Sequence, residues 1–450
     1  MFTPPRFVVV DDELTHLNAI LDTFQKLGSP CIGIHYDPAA ELDPAHFRGV
    51  RVLFLDLHLI GGALGTDYRR HYAQIAAILE NNISPHGGPF VLVIWTANPH
   101  LQNELIEYLD LNLDPQKPHA KPLAIRCLEK ERFINVETGA AVNPGQLRQA
   151  VEGAISSNAQ LAALLSWELD VLAAAGATLS TLLALVPSNQ RSTATFPSAL
   201  DTILSRLARE AVGPSNVAID PRAAITTALA PILADRIINQ HPTAEVSDRW
   251  SNAVTRHSDS ALGNSTEEEA GQINRMLHIA IPGPETIRPT DWGTVVDYPT
   301  AWTDPEVSNT IGFTIDQFLG HELKIEGAGR AQCRPCLVRV GAACDYAQNR
   351  SGPLKYLLGI EVPETAARME DRQGRRIKPP DSVWTSPIFV MDGITEPFRL
   401  YVNVRFGREV LPGACVDWNV RYRIREQLLM HLISHESGYS SRPAIVQMPV

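Results

Sequence analysis

Short, wholly apolar runs alternate with amphipathic stretches from residue 7 to about residue 155, and no other feature of the chain limits its fold as tightly. FVVV, VLFL and VLVIW are apolar at every position. They suit strands buried on both faces, whereas a half-exposed strand would alternate with a period of two. Strands of that kind separated by amphipathic stretches predict a parallel sheet with crossover helices. The pattern predicts strands at 7–10, 32–36, 52–55, 91–95 and 123–128. Helices are predicted at 14–26, 66–80, 101–109 and 144–155, with a weak one after Asp37. The expected unit is α/β, a doubly wound five-stranded parallel sheet.

Beyond residue 144 the pattern changes twice. From 144 to 285 Ala and Leu recur at helical spacing, and Asp220-Pro221 places an N-cap before a proline at the first helical position. The stretch 241–266 is polar and reads as a loop with an ill-defined helix around Trp250. After Pro282, segments at 336–340, 357–360, 388–391 and 398–404, separated by Gly, Pro and Asp, predict a β-rich domain. A helix is expected at 423–433, then an extended tail, SSRPAIVQMPV. The expected organisation is a doubly wound α/β domain over 1–143, an all-α domain over 144–285 and a small β-rich domain over 286–450.

A chain of 450 residues fits two to four domains, and its 44 % hydrophobic and 20 % charged residues can build substantial cores. The formal net charge of -11 argues against tracking a phosphate backbone, so nucleic acid is not an expected partner. The apolar stretches 161–165 and 171–186 are interrupted or flanked by Ser, Thr, Glu or Asp, and no membrane span is expected. The start, MFTPPRFVVVDDE, lacks the features of a secretory signal, and six cysteines are too sparse for a disulfide framework. A cytoplasmic location is expected.

In a parallel α/β sheet, ligands gather at the carboxyl ends of the strands. Here the first strand ends in Asp11, Asp12 and Glu13, the third in Asp56 and the fourth in Thr96, and the fifth is followed by Glu129 and Lys130. Carboxylates brought so close repel one another unless a cation offsets them, and hard oxygen ligands suit Mg²⁺. A phosphoryl group arriving at Asp56 would meet the Thr96 hydroxyl and the Lys130 ammonium.

The pieces VVVDDE, VLFLDLHL, VIWTANP and the lysine after the fifth strand resemble the receiver domain of two-component response regulators, over residues 7 to about 155. The resemblance implies that Asp56 is the phosphoacceptor and that Asp12 and Asp56 ligate Mg²⁺ directly. Asp11 would act through water, and the backbone carbonyl of His58 would complete the set. Thr96 becomes the switch hydroxyl and Lys130 the partner of the acyl phosphate. The segment from Asp56 to Thr96 is longer than the family's usual one, implying an extended helix or an added loop. Lys121-Pro122 offers a second lysine, but it precedes the fifth strand.

Elsewhere, Cys333 and Cys336 form a C-x-x-C that with Cys344 and Cys415 could bind zinc, although the apolar run CLVRVGAAC suits core thiols better. Cys344, Asp345 and His321 are the residues a carboxyl-terminal thiol or hydrolase site would use. The run RPCLVRVGAACDYAQ with RYRIREQLL and SRPAI resembles, more loosely, the carboxyl-terminal part of large receiver-like proteins of bacterial conflict and phage-defence operons, found beside a histidine-kinase-type ATPase. The resemblances imply an atypical response regulator, partnered by a histidine-kinase-type protein and an output protein, or acting as a phosphate sink. A receiver-controlled effector enzyme and a pseudo-receiver scaffold are the alternatives, and the Ala/Leu-rich helices could support a homodimer.

Overall fold

The computed structural model describes residues 6–26, 28, 30–60, 68–96, 98–135, 138, 142, 144–259, 262–283, 286–348, 352–394 and 396–442. Two compact units result, one of residues 1–179 with 235–259 and one of residues 180–234 with 260–450, so the helical segment contributes to both.

In the first unit, strands β1 (Phe7–Asp11), β2 (Cys31–His35), β3 (Val52–Asp56), β4 (Val91–Thr96) and β5 (Ala124–Glu129) form one sheet in the order β2-β1-β3-β4-β5. Every pairing is parallel. This is the doubly wound, flavodoxin-like order. The two faces of the sheet build two cores. Val8, Val10, Leu53, Leu55, Leu92 and Ile94 pack with Tyr72, Ile75, Leu79 and Leu105. On the other face Val9, Phe54, Val93 and Trp95 pack with Leu17, Ile20, Phe24, Leu147 and Val151. The covering helices are α1 (Leu14–Lys26), α2 (Arg69–Asn82), α3 (Gln102–Asn112) and α4 (Pro144–Ser156). Both faces are dry, which is why β3 and β4 are apolar at successive positions. The weak helix expected after Asp37 is a single turn, Pro44–Phe47, capped by Asp43. The expected start of α2, at 66, falls outside the described residues.

Helix α5 (Ala159–Ala184) corrects the expectation of interrupted apolar stretches. Ser, Thr and Glu do not stop a helix most of whose other positions are Ala and Leu, both strong helix formers. The helix runs unbroken for 26 residues, and by length and composition alone it could cross a membrane; 33 % of its most apolar window is buried. Gln160, Glu168 and Thr178 on this helix bond to protein groups. Glu168 takes two bonds from Arg51, Nε to Oε2 at 2.8 Å and Nη2 to Oε1 at 3.0 Å, with Arg6 at 3.6 Å. Helices α6 (Phe196–Val212), α7 (Pro214–Ile219), α8 (Pro221–Ile238), α9 (Ala244–Ala253) and α10 (Glu267–His278) follow. Helix α8 begins behind Asp220, whose Oδ1 accepts Ala223 N, and α9 gives the 241–266 stretch a defined helix capped by Thr243.

The second unit holds an antiparallel sheet of seven strands: β6 (Ile279–Ala280), β7 (Thr294–Asp297), β8 (Arg334–Val340), β9 (Leu354–Pro363), β10 (Val383–Phe389), β11 (Phe398–Val410) and β12 (Val420–Ile424). Their order is β10-β11-β9-β8-β7-β12-β6. The helix expected at 423–433 is therefore displaced. Tyr422 and Ile424 are buried in the sheet core, a period of two that pulls Arg423 into β12, and the helix starts at Glu426. A turn at Gly293, at φ +83°, lets the backbone approach Ile424 O; a Cβ there would lie 2.5 Å from that oxygen. The tail expected from residue 440 lies outside the described residues from 443 onward.

The Glu168–Arg51 pair gives a pH prediction. Arg51 holds the Glu168 carboxyl below the ordinary glutamate value of 4.5. A depressed folded pKa adds stability that is complete above 4.5 and is lost as pH falls through the lower value. Urea unfolding should show Glu168→Gln about 1 kcal/mol less stable than wild type near pH 7, a figure reduced for the partial exposure of the pair. The gap should close on acidification below 4.5.

Candidate functional site

Strands β1 and β3 are adjacent and parallel, so their carboxyl ends coincide and place Asp11 and Asp12 beside Asp56. Ligand oxygens of the three carboxylates lie within 4.8 Å of one another. Asp11 is 1 % exposed, Asp56 is buried and Asp12 is half-buried.

The cation comes from the far side of the sheet. Lys130 follows β5, and its carbonyl oxygen accepts Phe133 N at 3.2 Å and Ile134 N at 3.1 Å. Phe133 and Ile134 are core residues, so the turn that carries the amine is anchored by packing. From there Lys130 Nζ donates to Asp56 Oδ2 at 2.7 Å and lies 3.0 Å from Asp11 Oδ2. Lys121, at the opposite end of β5, instead pairs with exposed Asp110 at 2.7 Å.

Burial raises the Asp11 carboxyl above its ordinary value, the Lys130 amine lowers it, and Asp56 raises it again. Burial and Asp56 likewise raise Asp12. Burial works to lower the Lys130 amine, but the two carboxylates beside it outweigh that and hold it above its ordinary range.

Backbone groups fix the remaining geometry. Asp11 Oδ1 accepts Glu13 N at 2.9 Å, and Asp56 Oδ1 accepts His58 N at 3.1 Å. Thr96 is 1 % exposed at the end of β4, and its Oγ1 accepts Asn98 N at 3.0 Å. In the pairing of β3 with β4, Asp56 stands opposite Trp95, the residue before Thr96.

A divalent cation fits this set on two grounds. The donors are hard carboxylate oxygens. In addition, Asp11 Oδ2 is buried without an aligned hydrogen bond, because Lys130 approaches it off the bonding direction. An oxygen so placed has capacity left for a ligand.

Two side chains next to the cluster had no place in the sequence reading. The His58 ring lies 5.0 Å from that of His71 and 5.9 Å from that of Tyr68. His71 is 4 % exposed; burial and the neighbouring His58 lower its pKa, while Asp56 raises it. The spacing 71, 75, 78, 82 put His71 on the buried stripe of α2, a signal that was available in the sequence.

The carboxyl-terminal candidates are not assembled in this way. Cys344 is exposed, with Sγ 3.8 Å from Asp345 Oδ1, and no hydrogen bond or ion pair among the described residues joins it to His321. The described thiols are dispersed. Cys336 and Cys415 are buried, burial pushes Cys333 up to about 11, and Cys415 Sγ accepts Tyr356 Oη at 3.4 Å. Among the described residues, Asp11, Asp12 and Asp56 are the group whose ligand atoms converge for a metal.

No family model, curated protein or solved structure matches the chain.

Lys130→Met keeps the stem and removes the charge, leaving Asp11 and Asp56 facing each other. It should cost about 3–5 kcal/mol at neutral pH by urea unfolding. Mg²⁺ at ten times its dissociation constant should stabilise wild type by about 1.4 kcal/mol in thermal unfolding, and Asp12→Ala should lose most of that gain.

Proposed function

We propose that the first unit is the receiver domain of an atypical response regulator, with Asp56 accepting a phosphoryl group from a histidine-kinase-type partner. One observation carries this reading. The Lys130 amine touches Asp56 and Asp11 at once, at the carboxyl edge of a parallel sheet that also presents Asp12 and Thr96.

The chemistry follows from that arrangement. A carboxylate oxygen of Asp56 attacks phosphorus, the bond from phosphorus to the donor breaks, and the donor leaves as imidazole or carboxylate. The new bond is an acyl phosphate. Lys130, already beside Asp56 Oδ2, stabilises the charge on the transferring oxygens, and the Thr96 hydroxyl turns towards them. Mg²⁺ held by Asp11, Asp12, Asp56 and the His58 carbonyl would supply further positive charge. Thr96 must give up its bond from Asn98 N to make that turn, which links the chemistry to the β4–α3 connection.

Phosphorylation replaces the single negative charge of the Asp56 carboxylate with a phosphoryl group that carries up to two, at a site whose neighbours are already acidic. The proposed output is a change in protein contacts, in the cytoplasm, with the phosphate-sink role in a defence system as its variant. Moving such a switch from mostly off to mostly on takes about 5.5 kcal/mol of differential stabilisation.

The full chain incubated with Mg²⁺ and acetyl phosphate should gain the mass of one phosphoryl group, mapped to the peptide that contains Asp56. Asp56→Asn should gain nothing, and chelation by EDTA should slow labelling of the wild type. An unlabelled wild type, or labelling that survives in Asp56→Asn, would overturn the reading.

A further inference from the structure

The second unit contains a cavity of 600 Å³, the size of sites that enclose small organic ligands. Its walls come from α8 (Ala223, Thr227) and from the ends of β8 and β9 (Arg339, Lys355), with Tyr346 and Asp291 beside them. One wall residue is anomalous. Arg339 is 7 % exposed, yet its Nε has no hydrogen-bond partner, and its described bond, from Nη1 to Lys355 O, is long at 3.5 Å.

No carboxylate pairs with Arg339 among the described residues. A buried guanidinium without an anion is costly, and burial does hold its pKa below the ordinary arginine value. The contrast with Arg421 is direct, since that arginine reaches Glu361 Oε2 at 2.8 Å and Pro335 O at 2.9 Å. Glycine supplies the space around Arg339. A Cβ on Gly341, whose φ is +138°, would lie 3.0 Å from Arg339 Nη1, while Gly341 O accepts Trp292 Nε1 at 2.9 Å. The backbone is therefore pinned close to the guanidinium of Arg339, which is itself one of the residues that line the cavity.

The rest of the lining narrows the ligand. Tyr346 lines the cavity and is 43 % exposed, its ring lies at 23° to the indole of Trp292, and its hydroxyl donates to Asp291 Oδ1 at 3.4 Å. Asp220, Asp291 and Asp345 also line the cavity and oppose a polyanion, while Lys355 is already paired with Glu436. A planar fork suits one phosphate group, and an aromatic face suits one flat ring.

We infer that this cavity binds a mononucleotide, with the phosphate on Arg339 and the base against Tyr346. The negative charge of Asp220 and Asp291 in the lining then discriminates against triphosphates. The inference is independent of Asp56 chemistry, so Asp56→Asn should bind as wild type does.

Calorimetry on the full chain with AMP, GMP, CMP and UMP, and with adenosine, ATP and inorganic phosphate, tests it. At least one monophosphate should bind saturably, and the matching nucleoside and triphosphate should each bind about tenfold more weakly or worse. Arg339→Lys should lose a similar factor. Tyr346→Ala should weaken the monophosphate and leave inorganic phosphate unchanged. If Arg339→Lys does not fold, Ala223→Trp, which fills the cavity from α8 without touching the guanidinium, should abolish binding at unchanged thermal stability. No saturable binding of any monophosphate at about millimolar concentration, equal binding of the nucleoside, or full binding by Ala223→Trp would each overturn the inference.

Discussion

The Lys130 ammonium, held between Asp56 and Asp11 at the carboxyl edge of the parallel sheet, is the interaction on which the chemistry of the first unit depends. Three carboxylates from β1 and β3 would otherwise stand within 4.8 Å of one another with little water to screen them. The amine makes that concentration of charge tolerable without abolishing it. Asp11 Oδ2 still lacks an aligned donor, and burial keeps the Asp11 and Asp12 carboxyls above their ordinary values. A cluster left partly unsatisfied in this way has hard oxygen atoms that could hold a divalent ion.

What holds the amine in place is hydrophobic packing. The turn after β5 is locked because Phe133 and Ile134 enter the same core as Trp95, Phe54 and Leu147. Charge placement and core packing are therefore coupled: a change that loosened the α4 face of the sheet would move Lys130 as well. On the opposite face α2 inserts His71 next to His58, so the environment of Asp56 also includes the His71 ring, whose basicity burial suppresses. The strands between these two packed faces are dry on both sides, so a movement at their carboxyl ends is transmitted to close-packed side chains.

The second unit treats buried cations in two ways. Arg421 bridges strands, accepted by Glu361 of β9 and the Pro335 carbonyl of β8, and Arg334 reaches the same Glu361 at 2.9 Å. Those bonds stitch the antiparallel sheet internally. Arg339, on the same strand as Arg334, has no carboxylate partner among the described residues, only a long 3.5 Å bond to the Lys355 carbonyl, and it lines a cavity. Within one sheet, satisfied and unsatisfied guanidinium groups separate structural from ligand-directed roles more sharply than composition does.

The strands of the first unit were legible because a parallel sheet covered on both faces demands unbroken apolar runs, and FVVV, VLFL and VLVIW meet that demand locally. The residues at their ends were legible for the same reason, since parallel strands bring like ends together. Other features depended on contacts that no local pattern encodes. Arg423 reads as helical by its neighbours, yet Tyr422 and Ile424 find a sheet to enter, and Glu168 of α5 meets Arg51 from a segment more than a hundred residues away. His71 carried a usable spacing signal, but its pairing with His58 did not. The sequence by itself determined the apolar periodicity and the acid, hydroxyl and amine at the strand ends, because those are properties of neighbours along the chain. Only the tertiary structure decided which amine meets Asp56 and which buried arginine lacks an anion, because electrostatic satisfaction is set by distances between residues remote in sequence.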